Sequence, residues 1–378
     1  MQGDQPSASE SPTPHPGVER MRIATIGRGT EPPVLVTGGA GYIGSHAVHA
    51  LRDAGRPVVV VDNLSTGFRF AVPEGVPFYH GDIADTDLLA RIFAEQGMGG
   101  GAGAIMHFAG SIIVPESVSK PLWYYENNTG KSRGLVEAAV NAGIPHILFS
   151  STAATYGMPE VSPVTERTPT QPINPYGWSK LMTEQMLADA AHAYPFNYCA
   201  LRYFNVAGAD PLARTGQSTA GATHLIKVAV EAALGKRDAV SVFGTDYDTP
   251  DGTGVRDYIH VSDLAAAHVL ALDALIADPD RSMTMNCGYG RGFSVLEVLD
   301  AVDRVTGGRV ERIYAGRRAG DPAMLVADSS LLRATVPWQP RHDRLDTIIE
   351  HALAWEGNCP ISAARRPERA YCTNSLRA

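Results

Sequence analysis

Cysteine is scarce in this chain, with four among 378 residues. Cys199, Cys287, Cys359 and Cys372 stand far apart, and no pair has zinc-ligand spacing, so neither a metal knuckle nor a disulfide framework is expected. That usage fits a reducing cytoplasm. Long apolar runs are missing as well: none approaches the roughly 18 residues of a spanning helix. The chain does not open on a charged-then-apolar leader. A soluble protein that is not exported is expected, with no membrane partner. There is no basic excess either. The formal net charge is −8, whereas phosphate-rich polymers are held by surplus Lys and Arg, so no nucleic-acid partner is expected. A small anionic ligand needs only a few local arginines.

What is present is the composition of a soluble globular protein, 44% hydrophobic and 19% charged. Its length suits one large α/β domain with a smaller lobe. Residues 1–32 are rich in Pro, Ser, Gly and Thr and predict a disordered tail, within which Met21 is a candidate natural start. Residues 357–378 carry no apolar face and predict a second tail. Between them, strand and helix patterns alternate. Strands are predicted at Val34 to Thr37, Val58 to Val61, Phe78 to His80, Ala104 to Phe108, His146 to Ser150 and Tyr198 to Arg202. In the first helix Ile43, Ala47, Ala50, Leu51 and Ala54 fall on one face. Longer helices are predicted over Leu122 to Ala142 and Pro175 to Ala193. Repeated β–α alternation with continuous β-branched runs predicts a doubly wound parallel sheet of the Rossmann type. That domain is expected over 33–207. After Gly208, short elements and Gly- and Pro-rich loops predict a smaller C-terminal α/β substrate lobe over 208–356, some of whose segments return to the first domain. Helices are expected to start at Ser262-Asp263 and at Ser294, where Glu297 completes a capping box.

Two local patterns carry chemistry. Gly38, Gly41 and Gly44 follow the first strand and open the first helix. They permit a tight turn, backbone approach to a pyrophosphate, and close helix–sheet packing. Asp62 ends the second strand, where its carboxylate would accept the adenosine ribose hydroxyls and repel a 2′-phosphate; NAD is therefore the expected cofactor. The competing reading is that Asp62 merely caps the strand. Asp82 either reaches the adenine amine or caps the next helix. Gly99 to Gly103 leads into a strand and so offers no helix N-terminus; it predicts a flexible surface connection.

The second pattern is Tyr176 and Lys180, one turn apart on a helix that Asn174 and Pro175 start. A lysine ammonium beside the phenol, together with the positive nicotinamide ring, is expected to lower its pKa toward that of a usable base, and the lysine can also hold the nicotinamide ribose. Thr152, past the fifth strand, or its neighbour Ser151, is expected to supply a hydroxyl between substrate and tyrosine. No metal is expected.

Together with the strings Thr37 to Ser45, His107 to Gly110, Tyr124 to Asn128, Leu201 to Asn205 and Asp251 to Val261, these features resemble the extended short-chain dehydrogenase/reductase family. The likeness covers about residues 33–356 and is closest to the branch that epimerises UDP-hexoses at C4. The resemblance implies a chain that oxidises C4 of a UDP-sugar to a ketone and reduces it again. Catalysis would rest on Tyr176, Lys180 and Thr152. It implies that Tyr42, Ile43, Asp62, Asn63, Leu64, Ser65, Thr66, Gly67, Asp82, Ile83, Phe108, Ala109, Gly110, Ser111, Ile112, Asn127 and Phe204 surround NAD. It implies that Asn205, His224, Ser241, Val242, Phe243, Arg256, Arg318 and Asp321 hold the UDP-sugar, and that the chain pairs as a homodimer through the helices at 122–142 and 175–193. Departures are Thr152 for a usual serine, Ile112 for a common lysine, His224 for a common asparagine, and Leu325 where some members carry a tyrosine. The last leaves N-acetylated sugars open, and UDP-pentoses are barely separable. A 4,6-dehydratase would need an acid pair after Thr152, where Ala153 and Ala154 stand.

Overall fold

The computed structural model describes residues 32–318 and 320–360. Of the tails expected over 1–32 and 357–378, residues 1–31 and 361–378 lie outside the described residues, and with them Met21 and Cys372. Thirteen strands and eleven α-helices follow among the described residues. The strands begin with β1 (Val34–Thr37), β2 (Val58–Asp62), β3 (Phe78–His80), β4 (Ala104–His107), β5 (His146–Thr152), β6 (Asn197–Tyr203) and β7 (Asn205–Ala207). They continue with β8 (Val240–Phe243), β9 (Val255–His260), β10 (Met283–Cys287), β11 (Gly292–Ser294), β12 (Arg312–Ala315) and β13 (Met324–Leu325). The helices are α1 (Tyr42–Asp53), α2 (Thr86–Glu95), α3 (Val114–Ser119), α4 (Pro121–Tyr124), α5 (Lys131–Ala142) and α6 (Pro175–Ala193). In the second half they are α7 (Leu225–Ala233), α8 (Val261–Ala277), α9 (Val295–Thr306), α10 (Ser330–Thr335) and α11 (Leu345–Asn358).

Seven parallel strands form the main sheet in the order β10-β6-β5-β4-β1-β2-β3. β1, β2 and β4 are buried along their whole length because helices cover both faces. One face packs Ala47, Val48 and Leu51 of α1 against Leu264, Ala267 and Ala271 of α8. The other packs Leu89 and Ile92 of α2 with Leu135 and Ala139 of α5 and Leu187 of α6. Strand order reverses between β1 and β4, and a crevice at their carboxyl ends is the ligand position of such sheets.

The second half is interleaved with the first. β10 joins the main sheet beside β6, and α8 lies on α1, while β7 leaves to pair with β9. β9 also pairs with β11 and β13, and β8 pairs in parallel with β12. A separate core under these strands collects Ile226, Val230, Val242, Val298, Val302 and Ile348. Buried Glu356 on α11 pairs with Lys227 of α7, so α11 docks through to Asn358, past the point where a tail was expected.

Several local expectations need correction. The buried face of α1 runs through Gly44, Ala47, Val48 and Leu51, while Ala54 is exposed beyond the helix end. Ile43, Ala47, Ala50 and Leu51 pack on this core as expected, and Ala54 does not because the helix ends before it. The helix expected over 122–142 is broken: residues Tyr125–Gly130 form a π-turn between α4 and α5. Such a widened turn re-aims side chains and recurs at functional sites. The Gly99 to Gly103 loop is tied down rather than free, since Gly100 and Gly101 donate to the carbonyls of Ala142 and Gly143 at the end of α5. α8 starts at Val261, and the ring of His260 caps it by accepting from the Ser262 amide at 3.0 Å.

α1 can approach β1 only because Gly44 has no side chain: a Cβ there would lie 2.2 Å from the Gly38 carbonyl oxygen. Overpacking of this kind typically costs about 1–3 kcal/mol. Gly44→Ala should lower stability by that amount in urea unfolding, and a variant as stable as the parent would contradict this account of the loop.

Candidate active site

The glycine loop lies at the reversal point. Gly38 has φ 70°, and a Cβ on it would meet the Ala109 amide nitrogen at 2.7 Å, so the loop touches the chain that leaves β4. No side chain caps α1 at Gly41, and no acid occupies its first turn. Its first-turn amides are thus left for an anion, as a pyrophosphate requires. Asp62 is buried, and its two oxygens accept from the amides of Ala40 at 2.9 Å and Leu64 at 2.7 Å. Burial pushes its carboxyl up, and these two amides oppose the shift. Each oxygen keeps a lone pair for a hydroxyl donor. Leu64 is left-handed at φ 57°, strain of about 1–3 kcal/mol that the Asp62 contact helps sustain. Ser65 donates to Asn63, Phe68 to Ala40, and Gly67 lies against Ala40, so the segment from Asp62 through Thr66 to Gly67 wraps the glycine loop.

Asp82 is not the helix cap. Asp85 caps α2 by accepting from Leu88, whereas Asp82 takes the Lys131 ammonium at 2.6 Å and the Ala84 amide at 3.0 Å. Burial raises its carboxyl, but Lys131 and the amide outweigh that and hold it below its ordinary value. Ile83 points into the core, and the Phe108 ring lies against His268 of α8. Tyr42 donates its hydroxyl to the Gly208 carbonyl at 2.7 Å, while Ile43 is half-buried and Ile112 exposed.

The π-turn brings two asparagines to the other wall. Asn127 donates to the Ser111 hydroxyl at 3.0 Å. Asn128, which sequence reasoning did not single out, is the buried one: it accepts from the Ser111 amide and donates to the Ser111 carbonyl and the Ser179 hydroxyl. Behind it His107 joins Thr37 to Ser132, held neutral by burial with its pKa near 3. Two adjacent asparagines look alike in sequence; only the widened turn decides which faces inward.

α6 carries the remaining chemistry. Asn174 caps it through the Gly177 amide at 2.9 Å, with Pro175 at its first position, as expected. Tyr176 and Lys180 are both buried on the face toward β5. The Thr152 hydroxyl lies beside the Tyr176 phenol. Lys180 donates to the Ser150 carbonyl at 3.1 Å, lies over the Phe149 ring, and comes within 3.6 Å of a Cβ placed on Gly110. Ser151, the rival hydroxyl, is instead committed to Glu184. Burial raises the Tyr176 phenol and the Thr152 hydroxyl opposes that shift; the Lys180 ammonium is turned to the Ser150 carbonyl.

The second lobe supplies cations. Arg256 is half-buried and donates to the Val255 carbonyl; burial lowers its pKa, and Asp321 opposes that shift. Arg318 pairs with Asp321 at 2.9 Å and stacks on the Phe243 ring. Leu325 pairs with Arg256 in the sheet and packs with Phe204, Ala153 and Tyr156. Asn205 lies in β7. Ser241 is exposed, but the Val242 side chain turns into the lobe's core, so only its backbone is available to a ligand. His224 precedes α7 and bonds Gln217 at 2.8 Å. Among the described residues no group of His, Cys, Asp and Glu could hold a metal ion.

Burial brings the Lys180 pKa from 10.5 to about 8. Between those values the unfolded chain binds the extra proton, so stability rises with pH there. Keeping the ammonium buried at neutral pH costs on the order of 3 kcal/mol. In the cofactor-free protein Lys180→Met should therefore be more stable than the parent at pH 7, with the gain fading between pH 8 and 10.5. Urea unfolding across that range would refute this if the gain did not change with pH.

The family model of the NAD dependent epimerase/dehydratase family matches residues 34–288. A UDP-glucose 4-epimerase of Azospirillum brasilense is 58% identical over 325 residues, 86% of this chain and 92% of the relative. A solved structure of UDP-glucose 4-epimerase from Bifidobacterium longum in complex with NAD+ and UDP is similar at TM-score 0.80 and 38% identity, covering 87% of this chain and 99% of that one. The UDP-Glc/GlcNAc 4-epimerase of the human pathogen Campylobacter jejuni is similar at TM-score 0.75 and 46% identity, covering 87% and 100%. With its reversal-point glycine loop and buried tyrosine–lysine helix, this chain belongs to the NAD dependent epimerase/dehydratase family.

Proposed function

We propose that the chain interconverts UDP-glucose and UDP-galactose by NAD-dependent epimerisation at C4 of the hexose, a step of galactose and nucleotide-sugar metabolism. The observation that carries this reading is the buried Tyr176 phenol with the Thr152 hydroxyl beside it at the carboxyl end of β5, one helical turn from buried Lys180. When bound, NAD supplies a reversible hydride acceptor for C4. The residues suited to hold it are the Gly38–Gly44 turn, Asp62 through Gly67, Asp82, Ala109 to Ser111 and Asn127. Asp62 accepts the ribose hydroxyls and disfavours a 2′-phosphate. Tyr176 takes the proton of the sugar 4-hydroxyl, oriented by Thr152, and returns it when the 4-keto sugar is reduced from its other face. Arg256 and Arg318 take the diphosphate, for which guanidinium forks are suited. Ala153 and Ala154 offer no acid after Thr152, which speaks against a dehydratase.

A second reading, 4-epimerisation of UDP-N-acetylhexosamines, is favoured by one observation: Leu325, beside Phe204, leaves more room than an aromatic residue. Turnover of UDP-galactose, UDP-N-acetylglucosamine and a UDP-pentose by the purified protein ranks these readings. Tyr176→Phe should lose at least about 100-fold in kcat, the usual scale of general acid–base catalysis, yet keep its NAD. Full activity in that variant would sink the assignment.

We also infer a cytoplasmic homodimer. Cys199, Cys287 and Cys359 are buried and unpaired, as suits a reducing compartment. No helix among the described residues is long and apolar enough to cross a membrane. Leu122 and Trp123 of α4 and Trp178 and Met182 of α6 are exposed large apolar side chains, the kind of surface that marks an interface. Light scattering should give twice the 40.3 kDa chain mass, and half that value for Leu122→Asp/Trp178→Asp. A monomeric parent protein would overturn the inference.

A further inference from the structure

Three consecutive residues at the end of β5 each meet one residue of α6. Ser150 accepts from Lys180 through its carbonyl, Ser151 donates to Glu184, and the Thr152 hydroxyl lies beside the Tyr176 phenol. Positions 176, 180 and 184 are successive turns of one helix face. The first two belong to the chemistry proposed above; the third has no role in it. We propose that Glu184 is a positioning residue for the Tyr176–Lys180 pair, presenting a fixed carboxylate one turn behind the Lys180 ammonium. The inference rests on the reading of Tyr176 and Lys180 as the working pair.

The carboxylate is held with little freedom. Glu184 is buried, and Arg202 of β6 grips it with Nε at 3.0 and 3.1 Å to its two oxygens, while the terminal nitrogen bonds Oε2. Arg202 also donates to the Tyr156 hydroxyl at 3.1 Å, and that hydroxyl donates to Asn286 of β10 at 2.7 Å. Three strands of the main sheet therefore orient one side chain of α6. An ion pair this buried gains little net stability, since desolvation offsets the attraction. Its position behind a buried ammonium is the more telling feature.

Burial alone disfavours a charged Lys180, and Glu184 is the charge that opposes it. The other titratable groups around α6 do not. His107 on β4 is neutral, with a pKa near 3. Tyr124 of α4, Tyr156 after β5 and Tyr203 of β6 are all pushed above the ordinary phenol value by burial and stay uncharged. Arg202 is itself a cation, so it cannot favour the ammonium. Glu184 thus keeps Lys180 an ammonium near neutral pH, where a positive charge beside the phenol is needed.

The chain has five lysines, Lys120, Lys131, Lys180, Lys227 and Lys236, so carbon-13 labelling at lysine Cε gives a readable titration of the NAD-loaded protein. Lys180 is assigned by the signal lost in Lys180→Arg. In Glu184→Gln the Lys180 midpoint should fall by on the order of one pH unit, and the alkaline limb of the activity profile should move with it. That variant leaves Arg202 without a counter-charge. If it does not fold, Glu184→Gln/Arg202→Met removes both charges and should still lower the Lys180 midpoint, by less than the single variant. A folded variant whose Lys180 midpoint matches the parent overturns the proposal, even if activity or melting temperature drops. Failure of the parent protein to turn over any UDP-sugar would refute the proposed function instead, and leaves the midpoint comparison readable.

Discussion

The meshing of α6 onto the carboxyl end of β5 is the constraint on which the site depends. A strand end presents a carbonyl, a hydroxyl and a second hydroxyl in sequence, and one helix face answers with an amine, a carboxylate and a phenol. Neither element specifies the geometry alone. The helix is placed by its Asn174 cap and by Leu187 in the core, and the strand by its neighbours β4 and β6. Adjacent Ser151 and Thr152 meet different turns of that one helix face, at Glu184 and at Tyr176.

Burial is what gives these groups their character and also what they cost. Tyr176 and Lys180 are each pushed toward the uncharged form, in opposite directions along the pH scale. Arg256 shows the same tension in the second lobe, where burial lowers its pKa and a nearby carboxylate opposes that. A half-buried guanidinium whose hydrogen-bond partner among the described residues is a backbone carbonyl is poised for an anion. The two lobes meet these demands jointly. β10 returns to the main sheet and brings Asn286 beneath Arg202, and Leu325 packs against Phe204 and Ala153.

Much of the first lobe could be read from pattern. Val58 to Val61 is a continuous β-branched run, and such runs suit a sheet covered on both faces. Gly38, Gly41 and Gly44 have meaning only between a strand and a helix, and that context is visible locally. The Asn174-Pro175 start and the Tyr176–Lys180 spacing are likewise local. What pattern missed was where one segment meets another. The break before α5 was decided by a π-turn, and the cap of α8 by the ring of His260.

The sequence by itself determined the class of fold, the cofactor loop and the tyrosine–lysine helix, because each rests on residues near one another in the chain. Only the tertiary structure decided which neighbour serves which partner. Ser151 turns to Glu184 and Thr152 to Tyr176, Asn128 is buried beside Asn127, and Val242 points away from Arg256. These choices come from long-range packing and hydrogen bonding between strands and helices far apart in sequence, and no local spacing encodes them. The same holds for the charge behind Lys180, whose carboxylate is one helical turn away but whose fixed orientation comes from β5, β6 and β10.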